Sequence, residues 1–121
     1  MILSLLLIFF TIPHTLEDFA TGEPAKAGVP APLLSLVVST IFFAQALGLF
    51  WLGQGQRRGL ILHAVIGAFW PLASGFAQLP TIFSGDPYRA GTISVAYVLG
   101  IILVGVALLA SSLVALSHGR K

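Results

Sequence analysis

The sequence contains no cysteine and very few charged residues. Among its 121 residues only 8% are charged, six of them basic and four acidic. A soluble domain usually carries about 25% charged residues, so this chain cannot cover its surface with groups that suit water, and lipid is the expected surrounding. The lack of cysteine excludes disulfides, thiolate metal sites and cysteine nucleophiles. The basic residues form no stripe, which excludes a nucleic-acid partner.

What the chain has in abundance is apolar sequence, at 57% of all residues. Four apolar segments cover about residues 1–20, 31–52, 59–79 and 92–116. A helix needs roughly 20 residues to cross the hydrocarbon core. The alternating pattern of a membrane β-barrel is missing. The sequence therefore predicts a single all-α domain over residues 1–121, an integral membrane four-helix bundle.

The first segment is the shortest apolar run. It is uninterrupted only from Met1 to Ile12, and it has neither a basic leader nor a small-x-small cleavage site, so we interpret it as a helix rather than a signal peptide. It spans the bilayer if the polar turn that follows lies at or inside the interface. In the third segment, Pro71 and Pro80 are expected to kink the helix or end it early. Small residues such as Gly105 indicate close helix packing.

The basic residues predict the orientation of the bundle. The hairpin at residues 57–58 and the tail at residues 120–121 carry two charges each on one side, whereas Lys26 and Arg89 carry one each on the other. Basic residues near helix ends favour the cytoplasmic side. The expectation is a multi-pass protein of the cell (inner) membrane with both termini in the cytoplasm.

One polar constellation carries the candidate chemistry. His14, Glu17 and Asp18, here called the His–Glu–Asp turn, occupy positions i, i+3 and i+4, which share one face of a helix. Ionisable groups at membrane depth are costly and indicate a functional site. The turn is a candidate metal site for a divalent ion such as zinc, iron or manganese, a proton relay, or an acid/base pair. The alternative is that these residues merely end the helix in water.

Residues on the other helices that lie at the same height along the membrane normal are candidate neighbours of this turn. At about 1.5 Å of rise per residue, several side chains reach a similar height and are candidates for a substrate pocket. They are Ser35, Ser39, Trp70, Ser74, Gln78 and Tyr97. His63 lies more than about 10 Å away along the membrane normal and is expected to be a packing residue rather than a ligand. Gln45 is expected to donate an interhelical hydrogen bond.

The H-T-L-E-D motif resembles that of the HXXEE family of small bacterial membrane proteins. His14 and Glu17 fit the motif, and Asp18 replaces its second glutamate. The stretch Tyr88–Thr92 keeps the tyrosine and glycine that open the family's last span but lacks the proline. The family's later histidine has no counterpart between Trp70 and Gly91. The resemblance implies a four-span layout in a bacterial cell membrane and no particular reaction.

Three functions are compatible with these features. The first is a membrane-embedded enzyme or ligand-binding protein for a lipid-soluble molecule, which uses the His–Glu–Asp turn in a pocket walled by Ser74, Gly75 and Tyr97. The second is an accessory subunit of a larger membrane complex. The third is a small proton-coupled transporter. The candidate partners are therefore the lipid bilayer, a lipophilic small molecule, and a second copy or another membrane subunit.

Overall fold

The computed structural model describes residues 2–22, 28–85 and 91–118. These residues form four α-helices, and no strand occurs among them. They are α1 Ile2–Ala20, α2 Ala31–Gly53, α3 Arg57–Phe83 and α4 Thr92–His118. Each is long and apolar enough to cross a membrane. The predicted all-α multi-pass membrane bundle is thus confirmed, whereas the predictions at Lys26, Tyr88, Arg89 and residues 120–121 lie outside the described residues.

The helices begin and end close to their predicted limits, except in α3. This helix runs through both of its prolines and ends at Phe83 instead of near residue 79. Pro71 is accommodated because its ring packs into the space left by Gly105 of α4, where a Cβ would lie 2.7 Å from the proline Cδ. Beyond Pro80, the amide of Ser84 donates to the carbonyl of Pro80 at 3.1 Å and closes the last turn. In α1, Pro13 does not interrupt the helix.

The four helices run alternately up and down. The start of α1 meets the start of α3, because Ser4 contacts His63, and the end of α1 meets the end of α3, because Asp18 contacts Gln78. The start of α4 reaches the end of α1. Consequently α1 and α3 are parallel to each other and antiparallel to α4. The contact between α3 and α4 is the most extensive, and those between α1 and α4 and between α2 and α3 are smaller. Helices α1 and α2 barely contact each other.

Glycine permits the close approach of α3 and α4. A Cβ on Gly67 would lie 2.7 Å from the backbone nitrogen of Leu109 and 2.9 Å from the carbonyl oxygen of Gly105. Such distances are too short for any side chain, so the backbones touch here. Small residues at helix interfaces have this effect in membrane bundles, where packing drives association. The prediction of close packing at Gly105 is confirmed.

The interior of the bundle combines an apolar cluster (Leu7, Ile66, Trp70, Ile101 and Leu108) with many polar side chains, whereas its outer surface is apolar. Four of the five buried residues of α1 are polar, and they follow one helical face at Ser4, Thr11, His14 and Thr15. Large apolar side chains such as Phe9 and Phe76 are exposed on the outer surface. A water-soluble bundle shows the reverse arrangement. The outer surface therefore suits lipid, while the interior can hold polar chemistry.

Candidate functional site

The His–Glu–Asp turn lies within α1 and faces the bundle interior. His14 is buried, with 3% of its side chain exposed, and its Nε2 lies 3.7 Å from Oδ2 of Asp18. Glu17 and Asp18 are half-buried. The turn is part of a continuous helix that ends only at Ala20. These side chains are therefore not splayed into solvent, as they would be if they only terminated the first span.

The two carboxylates of this turn reach different helices. Glu17 Oε2 accepts a hydrogen bond of 2.6 Å from the hydroxyl of Ser94 on α4. Asp18 Oδ1 accepts a long hydrogen bond of 3.5 Å from the amide nitrogen of Gln78 on α3. Because they diverge, Glu17 ties α1 to α4, whereas Asp18 remains beside His14 on the side of α3.

A cavity of about 210 Å³ adjoins this turn between α1, α2 and α3. It lies where α1 and α2 are poorly packed. Its polar lining residues are His14, Thr15, Asp18, Ser74 and Gln78. The rest of the lining is mainly apolar and aromatic, with Val37 and Ile41 of α2 and Phe69 and Trp70 of α3 among the contributors. The cavity is therefore mainly apolar, and its polar side chains lie on α1 and α3.

The predicted pocket residues divide according to the rotation of their helices. Trp70, Ser74 and Gln78 are buried and line the cavity. Ser35 and Ser39 are exposed on the outer side of α2 and do not line it. Helical rise predicts the height of a residue, but which way a helix is turned depends on its neighbours.

The remaining residues predicted for the pocket, Tyr97 and Gly75, do not line it, whereas Thr15, which was not predicted, does. Tyr97 is half-buried on α4, and neither it nor Gly75 contributes to the lining. Thr15, which lines the cavity, was missed. The signal for it was the helical spacing of Ser4, Thr11 and Thr15, which places three small polar residues on the face that carries His14.

The structure offers no complete set of metal ligands in the described part of the chain. Within residues 2–22, 28–85 and 91–118, no three His, Cys, Asp or Glu side chains gather as a group that could hold a metal ion. The candidate set of His14, Glu17 and Asp18 does not form one because Glu17 turns toward Ser94.

A second polar cluster lies near the other end of the bundle. His63 joins Ser4 and Gln45 there, with the His63 Nε2 atom 2.7 Å from the Ser4 hydroxyl. Gln45 donates to Ser4 across α2 and α1, the interhelical hydrogen bond that the sequence predicts. His63 is thus separate from His14. Ser4 was missed because a single serine in an apolar run is common in membrane helices.

The fold and the cavity define the class of this protein: a small four-helix membrane bundle with a polar interior site. No family model, curated protein or solved structure matches the chain.

Proposed function

We propose that the protein binds a lipid-soluble molecule in the cavity beside the His–Glu–Asp turn. The observation that carries this proposal is the cavity of about 210 Å³, which has apolar walls and a few polar groups. Such a combination is typical of small-molecule sites, where apolar surface supplies affinity and a few polar groups fix orientation. Its position at the weakly packed α1–α2 junction opens a route from the bilayer.

The size of the cavity limits what can bind. A cavity of about 150 Å³ can hold benzene. The space here is somewhat larger, so it admits a ring-sized head group, while an attached tail would leave between α1 and α2 into the lipid. Val37 and Ile41 would contact the tail. Asp18 and Gln78 would bind the polar end.

The polar lining indicates that the ligand carries an oxygen. The indole Nε1 of Trp70 is buried and has no hydrogen-bond partner among the described residues. Leaving a buried donor unmatched is unfavourable, and a carbonyl or hydroxyl oxygen of a ligand would satisfy it. His14 and Asp18 stand next to each other and could exchange a proton with the same group, which extends the proposal to an enzyme acting on this molecule.

Filling the cavity tests the proposal. Ala73 lines the cavity, so Ala73→Trp should exclude the ligand. Lipophilic molecules extracted from the purified protein and quantified by mass spectrometry should include a species that is abundant in the wild type and lost in this variant. Ala107→Trp is the matched control, because Ala107 is exposed on α4. Equal recovery of every bound species from wild type and Ala73→Trp would contradict the proposal.

We further propose that the protein is an HXXEE-type protein of the bacterial inner membrane with cytoplasmic termini. Arg57 and Arg58 begin α3 on the same side as the start of α1, and the guanidinium of Arg58 lies 4.1 Å from the ring centre of Trp51, an aromatic pairing suited to an interface. A green fluorescent protein fused to the C-terminus should fluoresce, and alkaline phosphatase fused there should be inactive. The reverse result would contradict the orientation.

A further inference from the structure

A second cavity, of about 520 Å³, lies toward the end of the bundle where α1 and α3 begin. Its volume falls within the range of about 300–1,000 Å³ that is usual for small-molecule sites. Two of its lining residues, Ile2 and Ser111, are exposed, so the cavity is open to the outer surface and a lipid can enter it from the bilayer. All four helices contribute to the lining, which consists of Ile2, Leu3, Leu52, Leu60, Leu108, Ser111 and Ser112.

Ser112 presents a buried hydroxyl to this second cavity. The residue is only 3% exposed. The neighbouring Ser111 donates to the carbonyl oxygens of Ala107 and Leu108, as serine in a helix commonly does. The Ser112 hydroxyl makes no hydrogen bond of its own within the described part of the chain. Because an unmatched buried donor is unfavourable, an acceptor oxygen in the second cavity would stabilise this hydroxyl.

The contact between α3 and α4 gives the depth of Ser112. Gly67 lies against the α4 backbone at Gly105 and Leu109, so it is level with about position 107 of α4. Because the two helices are antiparallel, Ser112 is level with about position 62 of α3. It therefore lies about 7.5 Å deeper in the bundle than Arg57, the first residue of α3. The interfacial layer on each side of the hydrocarbon core is about 5–8 Å thick, so one such layer separates the two residues.

The rim of the second cavity carries positive charge. Arg57 is exposed and lies three residues before Leu60, which places the two side chains next to each other on the surface of α3. The guanidinium of Arg57 has no ion-pair partner among the described residues, whereas Arg58 packs over the ring of Trp51. No Asp or Glu occurs between residues 24 and 85 of the sequence. No side chain caps the start of α3, so the amides of its first turn add to the attraction for an anion.

We propose that the second cavity binds one anionic phospholipid. The phosphate contacts Arg57, an ester carbonyl accepts a hydrogen bond from Ser112, and an acyl chain packs against Leu108 one turn deeper. The three layers of a phospholipid thus meet a cation, a hydroxyl donor and an apolar wall in the order in which the bilayer stacks them. Basic residues beside clefts between membrane helices are typical binding sites for anionic head groups. The site shares no lining residue with the cavity beside the His–Glu–Asp turn.

The charge of the head group provides the first test. Native mass spectrometry of the full chain released from detergent micelles measures the binding of phosphatidylglycerol and of phosphatidylcholine with the same oleoyl chains. The wild type should bind phosphatidylglycerol about fivefold more tightly. Arg57→Gln should remove this preference, since one basic residue near the membrane surface contributes about that factor. Equal affinity of the wild type for the two lipids would overturn the proposal.

Arg58→Gln is the matched control for the head group. It makes the same change of charge one residue away, on an arginine that packs against Trp51, and it should lower the affinity for phosphatidylglycerol less than Arg57→Gln does. Equal losses in the two variants would mean a general attraction of the surface for anions and would contradict the site.

The ester carbonyl provides the second test. The ether-linked analogue of phosphatidylglycerol keeps the head group and the chains but lacks the ester carbonyls. The wild type should bind it about fivefold more weakly than the ester lipid, the usual effect of one neutral hydrogen bond, and Ser112→Ala should bind the two lipids equally. Ser117→Ala is the control on the same helix, because Ser117 donates to the carbonyl of Val114 and does not line the second cavity.

Two results of this second test would contradict the proposal. One is equal binding of the ester and ether lipids by the wild type, and the other is a preference for the ester lipid that persists in Ser112→Ala. Ala73→Trp fills the cavity beside the His–Glu–Asp turn and should leave all of these lipid affinities unchanged. The two sites are therefore tested independently, and the failure of one is distinguishable from the failure of the other.

Discussion

Replacing Gly67 with alanine should destabilise the bundle by about 1–3 kcal/mol, the usual cost of overpacking a tight interface. The added methyl group would lie 2.7 Å from the backbone nitrogen of Leu109 and 2.9 Å from the carbonyl oxygen of Gly105. Both atoms belong to a helix backbone and cannot rotate away as a side chain can. The helices α3 and α4 would have to separate, and they form the most extensive contact in the structure.

Gly75 provides the matched control on the same helix. A Cβ there would meet only Leu79 Cδ1, at an ordinary distance of 3.8 Å. Gly75→Ala should therefore be neutral or stabilise the protein by up to about 1 kcal/mol, the difference in helix propensity between the two residues. Unfolding in mixed detergent micelles, followed by circular dichroism, measures both variants. The packing argument is wrong if Gly67→Ala is as stable as Gly75→Ala.

Replacing Asp18 with asparagine should reduce the amount of lipophilic ligand bound by about tenfold or more. A hydrogen bond to a charged group contributes about 1.5–3 kcal/mol, and about 1.4 kcal/mol corresponds to a factor of ten in binding. Asparagine keeps the shape of the side chain and an oxygen for Gln78, but it loses the charge beside His14. The measurement is the quantity of the recovered species per mole of purified protein.

Glu17→Gln is the control for this effect. Glu17 accepts from Ser94 on α4 and does not line the cavity. Glutamine can still accept that hydrogen bond, so ligand recovery should stay close to that of the wild type. If Glu17→Gln lost the ligand while Asp18→Asn retained it, the roles assigned to the two carboxylates would be reversed.

The sequence did not predict that the carboxylates of Glu17 and Asp18 contact different helices. The spacing of His14, Glu17 and Asp18 places all three on one helical face, as the helix of the structure confirms. A face more than 100° wide, however, can meet more than one neighbouring helix. In this bundle the face meets α4 at Glu17 and α3 at Asp18, which divides a set that looked like one site.

The membrane class and the helix positions were determined by the sequence itself. Scarce charges and four long apolar segments require lipid-facing helices, because backbone groups in hydrocarbon must be hydrogen-bonded within the segment. The same local rules predicted a polar interhelical role for Gln45, and the structure confirms it. The end of α3 was predicted near residue 79 because proline disfavours a helix locally, whereas the helix continues through Pro80 and its last turn is closed by the Ser84 amide, which donates to the Pro80 carbonyl.

Only the tertiary structure decided which side chains share a space. Ser35 and Ser39 are exposed on the outer surface, whereas Ser74 and Gln78 line the cavity. Ser4 and His63, which are 59 positions apart in the sequence, form a hydrogen bond. For α2, which carries Ser35 and Ser39, the physical reason is that hydropathy is nearly uniform around the helix, so it cannot specify how the helix is rotated. Rotation is decided by close contacts between glycines and by hydrogen bonds between buried polar groups, and both require the neighbouring helix to be present.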